Sequence, residues 1–258
     1  MLHDFFDGKE LCKNINPYEA VAYGVAIMAE NLSGETTKIV KEMMVYDVTP
    51  LSLGVQTKGD IMTVVIRRNT PIPAKISTIL FTIVDNQSSG RIPVYQGERS
   101  KFTNNYLLGS FVVSGIPPAP KGVSVISVCF EIDDHGILTL TAKIVSTGMT
   151  EKLTVTNYGG ILSKQEVDKM MKDAEKFKLE DQQFKRKAQA YNGLDDGIHY
   201  LREKIRSNDV PPKDLNNMHY ALAEMMQWLS QGRVAEVEEI ERRMKYLVNL
   251  VCRFIFPN

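Results

Sequence analysis

A phosphate-binding loop needs glycines clustered at a strand-to-helix turn, where backbone N–H groups can approach the oxygens. Gly159-Gly160 sits at such a junction but lacks a third glycine and a Lys-Ser/Thr pair in register. His3, His135, His199 and His219 stand outside ligand spacing of one another and of any cysteine. Cys12, Cys129 and Cys252 are odd in number and far apart, which excludes a disulfide framework and a CxxC clamp and implies thiols in a reducing compartment. No Gly-x-Ser-x-Gly turn marks a nucleophile, and Asp133-Asp134 reads as turn chemistry rather than a catalytic pair. These residues lead to the expectation of a chain that is no enzyme and holds no metal.

Lys+Arg and Asp+Glu both number 31, a formal charge of zero that leaves no electrostatic footprint for nucleic acid or an anionic membrane. An apolar share of 43% and a charged share of 24% over 258 residues are those of a globular chain with a core to bury. The first residues, Met1 to Asp7, show neither the basic start nor the apolar stretch of a leader. No apolar run nears the roughly 18 residues of a membrane span. A cytoplasmic protein is expected.

Three styles of sequence must position whatever chemistry there is. Asn16-Pro17-Tyr18-Glu19 supplies an N-cap, a first-position proline and a carboxylate. Val21, Val25, Met28 and Leu32 follow at helical spacing, and Gly34 suits the stop. From Asp47 to about Asn157 the period becomes two: Ile61–Ile66, Ile79–Val84 and Val123–Ile132 are rich in β-branched residues between Gly, Pro and Asn breakers. Asp133-Asp134-His135-Gly136 before Ile137–Thr141 predicts a hairpin. Beyond Gly159-Gly160, Ser163-Lys-Gln-Glu166 is a capping box followed by Val167, Met170, Met171, Ala174 and Phe177. Further stripes start at Leu194, Leu215 and Val237, with Pro211-Pro212 and Gly232 as breaks, and predict a helical bundle.

Asp47-Val-Thr-Pro-Leu-Ser-Leu-Gly54 resembles the opening strand of the peptide-binding domain of the seventy-kilodalton heat-shock chaperones. Asp85-Asn-Gln87, Gln96-Gly-Glu-Arg99, Leu107-Leu-Gly109, Gly115 to Gly122 and Gly136-Ile-Leu138 recur in that family's order. Asp4 to Lys13 and Asn16 to Gly24 resemble the last stretch of its ATPase domain, and Met43-Met44-Val45-Tyr46-Asp47 resembles its interdomain linker. The resemblance implies an α+β chain: an antiparallel β-sandwich peptide-binding domain followed by an α-helical lid or bundle, preceded by one remnant helix. The expected domains are 1–34 (ATPase remnant), 35–47 (linker), 48–158 (sandwich) and 159–258 (lid).

The resemblance further implies a chaperone that binds extended apolar segments of unfolded proteins, without its own ATPase and without the ATP and Mg of the full-length family. Its contacts fall on Val55, Thr57, Lys58, Leu80, Phe81, Ile83, Gln87, Gly90, Ile92 and Ile126, with Lys58 and Ile83 arching over the peptide. A latch is expected from Asp195 and His199 to Lys121 and Asp85. Gly90, Lys58 and Phe81 depart from the family's apolar or small residues, and Pro93 removes a strand N–H, tolerable only at an edge or bulge. Alternative readings are a regulatory module docking on full-length chaperones through the linker, or a truncated gene model of an ATP-dependent chaperone. The expected partners are unfolded polypeptides, chaperones or co-chaperones, and a second copy through residues 17–32, with neither nucleic acid nor membrane.

Overall fold

The computed structural model describes residues 2–5, 7–10, 14–33, 47–155, 162–207, 212–231 and 235–255. It divides into two compact units, Met1–Asp47 and Val48–Asn258. The first holds α1 (Leu2–Phe5) and α2 (Ala20–Ser33). Asn16 opens α2 as its types suggest: its side-chain oxygen accepts from the Tyr18 N–H at 3.1 Å and its carbonyl from the Ala20 N–H at 3.0 Å. Ala20 to Ala29 is uncharged, and Val21, Val25 and Met28 are exposed. The linker residues Met43, Met44, Val45 and Tyr46 lie outside the described residues, as do Cys12 and Gly159-Gly160.

In the second unit the strands are β1 (Leu53–Thr57), β2 (Ile61–Ile66), β3 (Ala74–Phe81), β4 (Ser89–Gln96), β5 (Tyr106–Ser114), β6 (Val125–Ile132), β7 (Leu138–Ile144) and β8 (Thr150–Val155). They form two four-stranded antiparallel sheets, ordered β2-β1-β4-β5 and β3-β6-β7-β8. Alternation decides which face is buried: Ile126, Val128, Phe130 and Ile132 of β6 turn inward, as do Leu138, Leu140, Ala142 and Ile144 of β7. With Leu53, Val55, Ile92, Val94 and Phe111 of the other sheet they make one apolar core. The β6–β7 turn is closed by the Asp133 carboxylate, which accepts from the His135 and Ile137 N–H groups at 3.0 and 2.8 Å. Pro93 pairs with Ser110 of β5, just past the end of the β1 pairing at Val94 and beside the register shift between Val94 and Tyr95, the irregular surroundings in which a strand tolerates proline. Gly54 is obligatory at the irregular start of the β1–β2 pairing, since a Cβ there would lie 2.3 Å from the Thr63 carbonyl oxygen.

Four helices follow: α3 (Lys164–Lys176), α4 (Lys178–Arg206), α5 (Pro212–Gln231) and α6 (Val237–Ile255). The Ser163/Glu166 capping box forms, and Ser163 hydrogen bonds hold the Glu166 carboxyl below its ordinary value. None of the α3 stripe is buried; Val167, Met170 and Ala174 are half-buried and Met171 is exposed. Leu194, Ile198 and Leu201 of α4 pack with Met218 and Met225 of α5 and Ile240 and Leu247 of α6 in a second core. Among the described residues no helix is long and apolar enough to cross a membrane.

Several expectations are corrected. The description as a β-sandwich peptide-binding domain under a lid with one remnant helix gives way to two small antiparallel sheets plus helices. Two helices, not one, precede the sheets among the described residues. The strand expected over Ile79–Val84 runs instead from Ala74 to Phe81. The Gln87 side chain accepts from the Ile83 N–H at 2.9 Å and Thr82 turns its carbonyl to the Gly122 N–H at 3.0 Å, which draws the end of that stretch into a loop.

Candidate functional site

Two loops of the sheets meet the middle of α4, and a third is tied to one of them. In the β1–β2 turn, Gly59 and Asp60 both have positive φ, +81° and +61°, and a Cβ on Gly59 would lie 3.0 Å from the Asn192 side-chain amide. Glycine is what lets the helix settle on this turn. Asn192 Nδ2 donates to the Lys58 carbonyl at 2.8 Å. The β3–β4 and β5–β6 loops are tied to each other: Asn86 N donates to Ala119 O at 2.8 Å, and Lys121 N to Asp85 Oδ1 at 2.9 Å.

Two ionic junctions then hold α4. At the first, Lys58 Nζ reaches Asp195 Oδ2 at 2.5 Å and Asp196 Oδ1 at 2.7 Å, while Lys121 Nζ reaches the same two oxygens at 2.7 and 3.1 Å. Burial opposes the charge on Asp195, but hydrogen bonds from Lys121 and Lys58 outweigh it and hold the carboxyl below its ordinary value. Burial likewise opposes the charge on Lys121, and hydrogen bonds to Asp195 and Asp196 outweigh it and raise the ammonium pKa. At the second, Arg99 Nε donates to Asp181 Oδ2 at 2.8 Å, with the two side chains only 10% and 11% exposed. Ser100 N donates to the same oxygen at 3.2 Å, and the Arg99 guanidinium lies 4.5 Å from the centre of the Phe177 ring. The Asn105 side chain accepts from Arg99 N at 2.9 Å and donates to Arg99 O at 2.8 Å, fixing the backbone that carries the arginine.

Val55, Ile92 and Ile126 are buried in the sheet core, and Leu80 packs against it half-buried. The Thr57 hydroxyl shares a 2.8 Å hydrogen bond with the Thr63 hydroxyl. Gln87 spans its loop from Ile83 N to Ser89 O, and a Cβ on Gly90 would meet only the Gln87 amide, at 3.2 Å. Phe81, Ile83 and Val84 are left 55%, 55% and 54% exposed. The ammonium of Lys58, expected to arch over a peptide with Ile83, is engaged by α4. Of the expected latch, the structure brings Lys121 and Asp195 together but forms no ion pair between Asp85 and His199; the backbone hydrogen bond from Lys121 lowers the Asp85 pKa. Asp47 is exposed. Sequence reasoning missed Asp196, Asn192, Asp181 and the role of Arg99. The usable signal was spacing: Asp181 and Asp195 lie fourteen residues apart on one helix, about four turns and so nearly one face.

A cleft of about 500 Å³ lies beside the second junction. Glu180, Asp181, Glu236 and Glu238 line it, and its Arg186 is already held by Glu241 at 2.7 Å and Glu238 at 3.4 Å, a poor fit for nucleotide phosphates. Asp133, Asp134 and His135, the metal-spaced cluster among the described residues, are spent on or exposed around the hairpin turn.

The family model described as Hsp70 protein matches residues 1–255. The chain belongs to the Hsp70 family. It is 43% identical over 252 residues to a heat shock 70 kDa protein of Neurospora crassa, covering 96% of this chain and 39% of that protein. To heat shock 70 kDa protein 2 of Paracoccidioides lutzii the identity is 43%, with 96% and 38% covered. To heat shock cognate 70 kDa protein 3 of Dictyostelium discoideum it is 41% over 255 residues, with 97% and 40% covered. The chain thus spans about two fifths of the length of these relatives. The match runs through the first helices as through the rest. It puts nearly the whole chain in a family with ATPase character, so the expected non-enzyme does not stand.

Proposed function

We propose that this Hsp70-family chain binds extended apolar segments of unfolded polypeptides at the loops gathered against α4. The observation that carries the reading is the exposure of Phe81, Ile83 and Val84, three successive apolar positions but for Thr82, on a loop pinned by Gln87, Thr82 and Asp85. A mobile loop would lose ordering entropy on binding; this one is already held. An extended segment presents alternate side chains to such a surface while its backbone seeks hydrogen-bond partners. Val55, Ile92 and Ile126 would support the surface from the core rather than touch the segment. The same reading takes unfolded polypeptides and co-chaperones as partners in a cytoplasmic setting.

Fluorescence anisotropy with a labelled Leu-rich heptapeptide tests it. Saturable binding is expected, weakened about tenfold or more by Phe81→Asp or Ile83→Asp, since burying one large apolar side chain is worth about 1.5–3 kcal/mol. Absence of saturable binding, or equal affinity in both variants, overturns the reading.

A further inference from the structure

Each sheet has two edge strands, and three of the four edges are blunted. The Met62 N–H of β2 is taken by the Ser100 carbonyl at 2.8 Å, the β4–β5 pairing shifts beside Val94, and β8 carries Glu151 and Lys152. The fourth edge, β3, runs in unbroken register with β6 from Ala74 opposite Ile132 to Phe81 opposite Val125. In that same register the Thr82 N–H donates to the Ser124 carbonyl, so the even-numbered residues hold β6. The backbone groups of Lys75, Ser77, Ile79 and Phe81 therefore point away from β6, and among the described residues no hydrogen bond meets them. Ile79 and Phe81 are 58% and 55% exposed on the outer face of the sheet. We propose that β3 pairs antiparallel with β3 of a second copy about a two-fold axis at Thr78, joining two four-stranded sheets into one. Self-complementarity is what singles out a second copy. About that axis Lys75 of each copy lies opposite Phe81 of the other, Ile76 opposite Leu80, Ser77 opposite Ile79 and Thr78 opposite Thr78. Each outward N–H and C=O then finds a partner, about eight hydrogen bonds in all. The cross-strand pairs are a lysine over an aromatic ring, Ile with Leu and Thr with Thr, and no like charges are opposed. A shift of two residues either way would set Pro73 or the loop residue Ile83 against the strand instead.

The pairing stands without the peptide reading, so its test stands apart. The mass of the full chain is followed by light scattering from about 5 to about 500 µM, because a strand edge is a small interface and its dimer a weak one. The mass is expected to rise from 29.1 kDa toward twice that value. Ser77→Pro removes an outward N–H and no bond to β6, so it should keep the far-ultraviolet spectrum yet stay monomeric at every concentration. Ile79→Lys should do the same by charging the edge. Thr154→Lys, on the β8 edge, should dimerise as the native chain does. Thr78→Cys sets two thiols opposite each other at the axis, with about 4.5 Å between Cα atoms, within disulfide reach. Mild oxidation of that variant should give a disulfide-linked dimer, and adding Ser77→Pro should abolish it. A native chain monomeric throughout, a dimer that survives Ser77→Pro and Ile79→Lys, or a mass that climbs past two copies overturns the pairing. A monomer whose heptapeptide binding is lost in Ser77→Pro also overturns it and gives the edge to an extended peptide.

Discussion

The two junctions on α4 use similar atoms to opposite ends. Arg99 and Asp181 are enclosed, with Ser100 on the carboxylate, Phe177 on the guanidinium and Asn105 on the backbone, and only the exposed Glu180, 3.7 Å away, as a second carboxylate. Lys58, Lys121, Asp195 and Asp196 are partly wet and redundant. Enclosure makes a pair indispensable once formed, because removing one partner strands a desolvated charge. Redundancy with exposure makes a junction adjustable, because each contact is weak and another remains. One helix therefore has a fixed end and an adjustable middle.

Breaking the enclosed pair should give the largest effect. Asp181→Ala is expected to cost about 3 kcal/mol in urea unfolding, since Arg99 is buried and keeps only the exposed Glu180, at 3.7 Å, as a carboxylate partner. Replacing both partners, Arg99→Met with Asp181→Leu, should recover most of that loss, and a double variant as unstable as the single would show that the neighbours, not the pair, set the cost. At the adjustable junction Asp195→Asn should cost only about 1 kcal/mol, since Asp196 still faces both lysines. If it costs as much as Asp181→Ala, the contrast between the junctions fails.

Acid sharpens the comparison. The depressed pKa of Asp195 means that its contribution is present above the unfolded value, about 3.9, and is lost as pH falls through the lower folded value. The raised pKa of Lys121 means that its contribution is full below the unfolded value, about 10.4, and is lost as pH rises through the higher folded value. Protection of residues 188–199 from amide hydrogen exchange should hence be flat from about pH 5 to 9 and fall below about pH 4, a fall that Asp195→Asn should remove. The smallest effect concerns the loop itself. Gly90→Val has only the end of the Gln87 side chain to displace and is expected to strengthen heptapeptide binding several-fold by adding about 1 kcal/mol of apolar contact. Unchanged affinity would move the binding surface away from Gly90.

The period-two stretches of β6 and β7 and the Asp133 turn were legible because alternation and an Asx carboxylate are local signals. The capping box at Ser163 was legible for the same reason. β4 was not readable from propensity, with Gly90 and Pro93 inside it; pairing to β5 along its length makes it a strand. The end of β3 was misjudged because Ile79 to Val84 is apolar but for Thr82, while Gln87 and Thr82 turn its last residues outward. In the candidate site, Lys121 and Asp195 came from a resemblance, but no local pattern marks Arg99 as the partner of Asp181, eighty-two residues away. Long-range ion pairs leave no periodicity to read.

The fourteen-residue step from Asp181 to Asp195 makes α4 a ruler. At 1.5 Å per residue the two aspartates stand about 21 Å apart, and at 3.6 residues per turn they point nearly the same way. One residue inserted between them would turn Asp195 by about 100° and carry it away from both lysines while Asp181 stayed with Arg99. The same shift would rotate Gly197, where a Cβ would come within 2.5 Å of Leu247, out of its notch against α6. Substitutions along this segment can be absorbed one at a time, but its length cannot change: 182 to 194 is closed to insertion and deletion.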